Sequence, residues 1–399
     1  MQINPEIRSF NLSRYNTGSR IGDDGTKSLS SALLVNSHAN LRVLQLGGNY
    51  VGSAGVSHLV KALSQNTTMQ NIDLGLGGNF IQNAGAKSLG KLLRTTNVLQ
   101  ELDLQANWIG TDGAKSLAKG LRNSTSLQVL RIRDDFEESG AVALINALLE
   151  NKSLVELMMG CKNAKSAFSA ALGNALKFNT TLEIINLENC SMGADGVALL
   201  SEGLAVNTNL LILQLADSMG NEGAAAISKA LCTNNSLRRL HLVGAKIGDV
   251  GAISLSESLR INTGLEHLSL RCNAIHGDGA RALGDMLLVN TSLKELDLGR
   301  NRIGDDGAQC IFEALSARNL QLGVMEEVDL DLNDIGPETS RLLSQSILRA
   351  KLSGLNKQDP WDDFDTDEDN DEDNDDNDDD GNEDGDEAWV AAGDNVEEN

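Results

Sequence analysis

The sequence predicts an α/β solenoid, a curved stack of strand-turn-helix units with parallel strands on the concave side and helices on the convex side. Three observations predict it. A leucine-led segment recurs every 27 to 32 residues, each copy changes its apolar period midway from two to about 3.6, and glycine and asparagine return at fixed offsets around that change. Copies open at Leu41, Met69, Leu99, Leu127, Leu154, Leu182, Leu210, Leu237, Leu265, Leu293 and Met325, after a degenerate one at Ile7. Twelve units thus cover about 350 residues.

The copy LQELDLQANWIGTDGAKSLAKGLRN, from Leu99, shows each element. Leu102 and Leu104 alternate with Glu101, Asp103 and Gln105, which is a short strand with one apolar face. Asn107 follows in the turn, where its short amide can both donate to and accept from buried backbone. Gly110 and Gly113 bracket the start of the next element, in which Ala114, Leu117, Ala118 and Leu121 share one helical face. Asn123 stands where that helix ends. Neither half can bury its leucines alone, so the units must stack and share one elongated core.

The turn-asparagine slot reads Asn49, Asn79, Asn107, Asp135, Cys190, Ser218, Ala245, Asn273, Asn301 and Asn333, so the middle of the arc is irregular. LGLGGN, Leu74 to Asn79, reads as a two-residue insertion between strand and asparagine.

The pattern LxxLxLxxN followed by IGxxGAxxLxxAL resembles the ribonuclease-inhibitor-like leucine-rich repeats, a type found also in the repeat arm of NOD-like receptors and in the GTPase-activating protein for Ran. The resemblance covers about residues 7 to 350 and implies a leucine-rich repeat horseshoe used as a scaffold. By this reading residues 1–40 form a degenerate capping repeat, 41–352 a solenoid of about eleven units, and 353–399 a tail.

The formal net charge is −24, yet 22 Asp or Glu and no Lys or Arg lie between Asp359 and Asn399. The repeat body is left close to neutral, and the tail reads as disordered because like charges repel and little apolar surface offsets ordering. PWDDF, Pro360 to Phe364, reads either as part of a terminal cap or as a docking motif. DNDDDGNEDGDE, Asp376 to Glu387, matches the spacing of a calcium loop but lacks flanking helices and has Glu383 at the usual apolar position, so it reads as chance in an Asp-rich tract.

No segment reads as a membrane span or a signal peptide. Cys161, Cys190, Cys232, Cys272 and Cys310 fall in different repeats, without a paired framework, and read as reduced thiols of a cytoplasmic protein. The resemblance extends that location to the nucleus or its envelope. His241 and His267, with Cys272 nearby, do not read as a zinc site, which needs at least three protein ligands in good geometry, and no catalytic, phosphate-binding or cofactor motif occurs. The sequence therefore predicts no enzyme, metal or cofactor. Asn-x-Ser/Thr triplets such as that at Asn123 reflect a preference of the repeat for these residues at the helix end.

Two features point to a partner. The slot after the turn asparagine holds Tyr50, Phe80, Trp108 and Phe136 in four successive units, then Met192, Met219, Lys246, Ala274, Arg302 and Asp334. A slot that accepts Lys, Arg and Asp is not core, so the four rings are expected to form one exposed stripe, either anchoring a partner or shielding the edge. On the concave face, Asp73 with Asp103 and Asp297 with Asp329 flank Arg131, Arg133, Arg238, Arg239 and Arg271. These read either as an ordinary mixed-charge surface or as blocks complementary to a partner.

The sequence reading is thus a monomeric protein-binding scaffold or regulator, with a protein as partner and neither nucleic acid nor membrane. The resemblance adds an alternative, an activator of a Ran-like small GTPase, which the acidic C-terminal segment also fits. No motif assigns an activating residue by position.

Overall fold

The computed structural model describes residues 7–341 apart from 15–19, 36–40, 67–71, 162–164, 189, 217 and 322–324. The acidic segment and its calcium-like motif lie outside the described residues. One compact unit spans Met1–Leu352.

Twelve strands form one parallel sheet in chain order. They are β1 (Ser9–Asn11), β2 (Val43–Gln45), β3 (Ile72–Gly75), β4 (Leu99–Asp103), β5 (Val129–Arg133), β6 (Glu156–Gly160), β7 (Ile184–Glu188), β8 (Ile212–Ala216), β9 (Arg239–His241), β10 (His267–Ser269), β11 (Glu295–Asp297) and β12 (Glu327–Asp329). Between them run α1 (Gly22–Val35), α2 (Ser53–Gln65), α3 (Gln82–Leu93), α4 (Thr111–Leu121), α5 (Glu138–Ala147), α6 (Ser166–Phe178), α7 (Gly193–Leu204), α8 (Gly220–Leu231), α9 (Asp249–Leu259), α10 (Gly277–Leu287) and α11 (Gly304–Gln321). Paired strands lie about 4.8 Å apart, whereas packed helices need about 8–10 Å, so the stack bends with the sheet inside.

In each unit the alternating leucines and the helical face meet in one core. Leu102, Leu104, Ile109, Ala114, Leu117 and Leu121 are all buried. The turn asparagine works as its two-sided amide requires. Asn107 Nδ2 donates to Leu104 O at 3.1 Å within its own unit and to Leu76 O at 2.8 Å in the preceding one. Asn49, Asn79, Asn273, Asn301 and Asn333 repeat this bridge across units. Cys190 takes the same slot with a weaker donor, its Sγ 3.8 Å from Met159 O.

Two further ladders tie the units together; the sequence showed the recurring helix-end asparagine of the first but not its bond across units, and the second was missed. At the helix-to-strand turn, Asn151, Asn179, Asn207, Asn234, Asn262 and Asn290 are buried, and each Nδ2 donates to a carbonyl of the preceding unit. Their signal was the recurring Asn followed two or three residues later by Ser, Thr or Leu, which is a backbone-satisfying turn. In the last such slot, buried Arg318 donates to Leu287 O and Leu293 O, each at 3.0 Å. At the other helix end, the cap comes from the neighbouring unit. Asn83 Oδ1 accepts from the N–H groups of Gly110 and Gly113 at 2.9 Å, and Asp23, Glu138, Asn221 and Asp249 serve the next helix in the same way. A Cβ at 113 would lie 2.7 Å from Asn83 Oδ1 and from the Ile109 side chain, so glycine fits there without displacing either.

Leu74–Asn79 is not an insertion. Leu74 pairs in register with Leu44 and Leu102, and the five-residue step from Leu74 to Asn79 equals that from Leu44 to Asn49. The two extra residues of this unit therefore precede β3.

Candidate partner-binding surface

The aromatic stripe holds three rings, not four. Tyr50 is 52%, Phe80 40% and Trp108 71% exposed. The Tyr50 and Phe80 rings lie 5.2 Å apart at 49°, and the Arg20 guanidinium stands 4.4 Å from the Tyr50 centroid. Phe136 is 2% exposed, which corrects its placement with the others.

The reason is one missing residue. The unit opening at Leu127 is 27 residues long, and its turn is the part that shortens. Counting back four from the glycine that starts each helix, Phe136 before Gly140 takes the place of Ile109 before Gly113, and both point into the core. Met192 and Met219 precede Gly196 and Gly223 by the same four residues and are likewise buried. The stripe therefore ends at Trp108.

The shortened turn also changes which acid faces the ladder. Asp134, not Asp135, receives the backbone N–H groups of the Trp108 loop: Asn107 N lies 3.0 Å from both carboxylate oxygens and Trp108 N 2.9 Å from Oδ1. Burial pushes the Asp134 carboxyl up to about 6, against the opposing pull of the N–H groups of Ile109, Asn107 and Trp108. Trp108 itself has φ +59° and Tyr50 φ +61°, a left-handed backbone that is costly for large side chains. Both rings thus stand in water on a backbone that glycine would adopt at less cost.

On the concave sheet, Arg131, Arg238 and Arg271 reach carboxylates of other units. Arg131 Nη2 lies 3.0 Å from Glu156 and Nη1 pairs with Glu101, so β4 and β6 hold it from both sides. Arg271 Nη1 lies 3.1 Å from Asp329 and 3.8 Å from Asp297. Arg238 donates to Gly264 O at 2.6 Å, with Glu266 at 3.7 Å. Arg239 lies in register with Ile212 and His267 on the adjacent strands, and Arg133 is exposed at the end of β5.

Asp297 and Asp329 are direct register partners as expected. Asp73, however, faces Glu101, while Asp103 faces Gly75, because the extra residues precede β3. Burial raises the carboxyls of Asp73, Asp103 and Asp297. His241 and His267 do not share a register position: His241 faces Ser269, and His267 Nδ1 lies 2.5 Å from Glu295. Among the described residues no cluster of three or more His, Cys, Asp or Glu could hold a metal ion, and no helix is long and apolar enough to cross a membrane.

Comparison with known proteins agrees with this architecture. The sequence model of the leucine-rich repeat matches residues 97–118, 178–201, 233–256, 262–284 and 289–312. No curated protein matches the chain. Among solved structures, the yeast Rad7 and Elc1 complex aligns over 80% of this chain and 78% of its own at 17% identity, with a TM-score of 0.50. The actin-binding site 2 of leiomodin-1 aligns over 39% and 87% at 20% identity, with a TM-score of 0.33. A TLR13 complex with single-stranded RNA aligns over 74% and 36% at 17% identity, with a TM-score of 0.43. Matched repeats, a parallel sheet in chain order and helices returning between the strands make this chain a leucine-rich-repeat fold.

Proposed function

We propose that the chain is a protein-binding scaffold that presents the edge formed by Tyr50, Phe80 and Trp108, together with the adjoining concave face around Arg131, to a protein partner. The carrying observation is the 71% exposure of Trp108 on a left-handed backbone. Exposed aromatic surface on a folded body is the kind of patch that interfaces use as an anchor. The mixed charges of the concave face orient a partner more than they tighten its binding.

The test compares the proteins retained by the full chain with those retained by Trp108→Ala, followed by affinity measurement on each purified candidate. Trp108→Ala is expected to weaken the bound partner by about 2 kcal/mol or more with an unchanged unfolding midpoint. A lowered midpoint with unchanged affinity means that the ring shields the solenoid edge. The narrower reading, an activator of a Ran-like small GTPase, rests on the repeat type and the acidic segment. Single-turnover GTP hydrolysis by a captured GTPase, with and without the chain, decides it: no acceleration removes that reading and leaves the scaffold.

A further inference from the structure

The convex face carries a second surface with a different chemistry. Helices α2, α3 and α4 bear five lysines, Lys61 in α2, Lys87 and Lys91 in α3, Lys115 and Lys119 in α4, against one carboxylate, Asp112. Arg94 and Arg122 cap two of them. A body that is near neutral overall therefore concentrates positive charge at one end of its helical side.

Within that region the helices part. Helices α3 and α4 touch backbone to backbone through Gly90 and Gly120, where a Cβ on Gly120 would lie 2.4 Å from Gly90 O. Helices α6 and α7 do the same through Gly173 and Gly203. Helix α5 has a single glycine, Gly140, which approaches Ala114 in the first turns and leaves the later turns of α4 and α5 without such a contact. A cavity of about 400 Å³ opens there. Its floor is Ala118, Val142 and Ala143, its rim Lys115, Lys119 and Arg122, with Ser139 and Asn146 on the α5 side. Arg122 Nε has Glu150 at 3.4 Å, while Lys115 and Lys119 are exposed and their ammonium groups pair with no described residue.

We propose that the α4–α5 groove docks an acidic peptide segment of a partner protein, with one bulky apolar side chain seated on Ala118, Val142 and Ala143 and its flanking carboxylates on Lys115, Lys119 and Arg122. The apolar floor asks for a hydrophobic anchor, and Lys115 and Lys119 at its rim, with Arg122 shared with Glu150, select the charge around it. The surface is separate from the Trp108 edge, so it stands or falls independently of the reading above.

The probe is a fluorescently labelled decapeptide of Glu and Asp with a central Leu-Phe pair, titrated with the full chain and followed by polarisation. Two control peptides replace Leu-Phe by Gly-Gly or every acid by its amide. Binding is expected for the first peptide only, weakened at least tenfold by Lys119→Glu and by Val142→Asp and unchanged by Trp108→Ala. Lys61→Glu, on α2 outside the groove, is expected to weaken it less than threefold. Circular dichroism and unfolding midpoints equal to wild type keep the comparison valid, and Lys115→Gln gives a second, milder rim variant. Equal binding of the Gly-Gly peptide, or equal loss in Lys61→Glu, overturns the groove in favour of diffuse charge. No binding by the wild-type chain, or sedimentation showing that this face is taken by a second copy, also overturns it.

Discussion

Asp134 is where one residue controls the most. It stands in for an asparagine, but as a carboxylate it receives the N–H groups that hold the Trp108 turn. Its native carboxyl lies at about 6, above the ordinary 3.8. The folded state therefore binds its proton more tightly than the unfolded chain, so the stability linked to this group is fully present below about pH 4 and falls as pH rises to about 6. Asp134→Asn is expected to remove that slope and to raise stability at pH 7.5 by about 1–2 kcal/mol, allowing for partial exposure. Thermal melts of both proteins from pH 4 to pH 8 test this, and curves that stay parallel throughout refute it. At Asn107, substitution by Ala leaves the Leu76, Leu104 and Gln105 carbonyls without their amide donor. The expected loss is about 2–3 kcal/mol in urea unfolding, whereas Trp108→Ala next to it should cost little, since its ring is in water.

At the scale of elements, the close approach of α3 and α4 has a direct consequence. Gly120→Leu must push a side chain into Gly90 O, and the two helices cannot separate without opening the core beneath Leu89 and Leu117. An unfolding loss of about 1–3 kcal/mol or more is expected, and Gly140→Ala, whose Cβ meets only side chain at 3.0 Å and backbone at 3.3 Å, should cost less. Equal losses in chemical denaturation count against this account of helix spacing. The elements themselves were legible in advance: period two for Leu102 and Leu104, helical spacing for Ala114, Leu117 and Leu121. The ladders were not, because Asn83 and Asn151 look like ordinary surface polar residues until the neighbouring unit is placed beside them. Only then do their partners, a helix N-terminus and a turn carbonyl, come within reach.

For the whole described body, stacking of like units predicts that stability is carried by neighbour-to-neighbour interfaces. Removing residues 182–209, one full unit, should leave a folded solenoid with one strand fewer, its sheet side shorter by about 4.8 Å. Small-angle scattering and a single cooperative unfolding transition check this. A chain that becomes molten instead shows that the irregular middle units are not interchangeable. Asn179, Asn207 and Asn234, before, within and after the deleted stretch, make the same donation to the preceding unit, which favours the first outcome, and the weaker thiol contact of Cys190 is removed with it.

The sequence by itself determined the architecture, since a repeat of about 28 residues whose apolar period changes midway can bury its leucines only by stacking. It also determined that Tyr50, Phe80 and Trp108 occupy a slot tolerant of charge. Only the tertiary structure decided that the stripe stops before Phe136, because a turn one residue shorter is registered from the helix glycine that follows it and not from the strand that precedes it. The structure alone also decided the state of the concave arginines. Arg131 and Arg271 reach carboxylates one and two units away, as Arg271 does with Asp329, 58 residues on. Such pairs depend on side-chain reach across a sheet whose strands are about 4.8 Å apart, a distance that no spacing along the chain encodes.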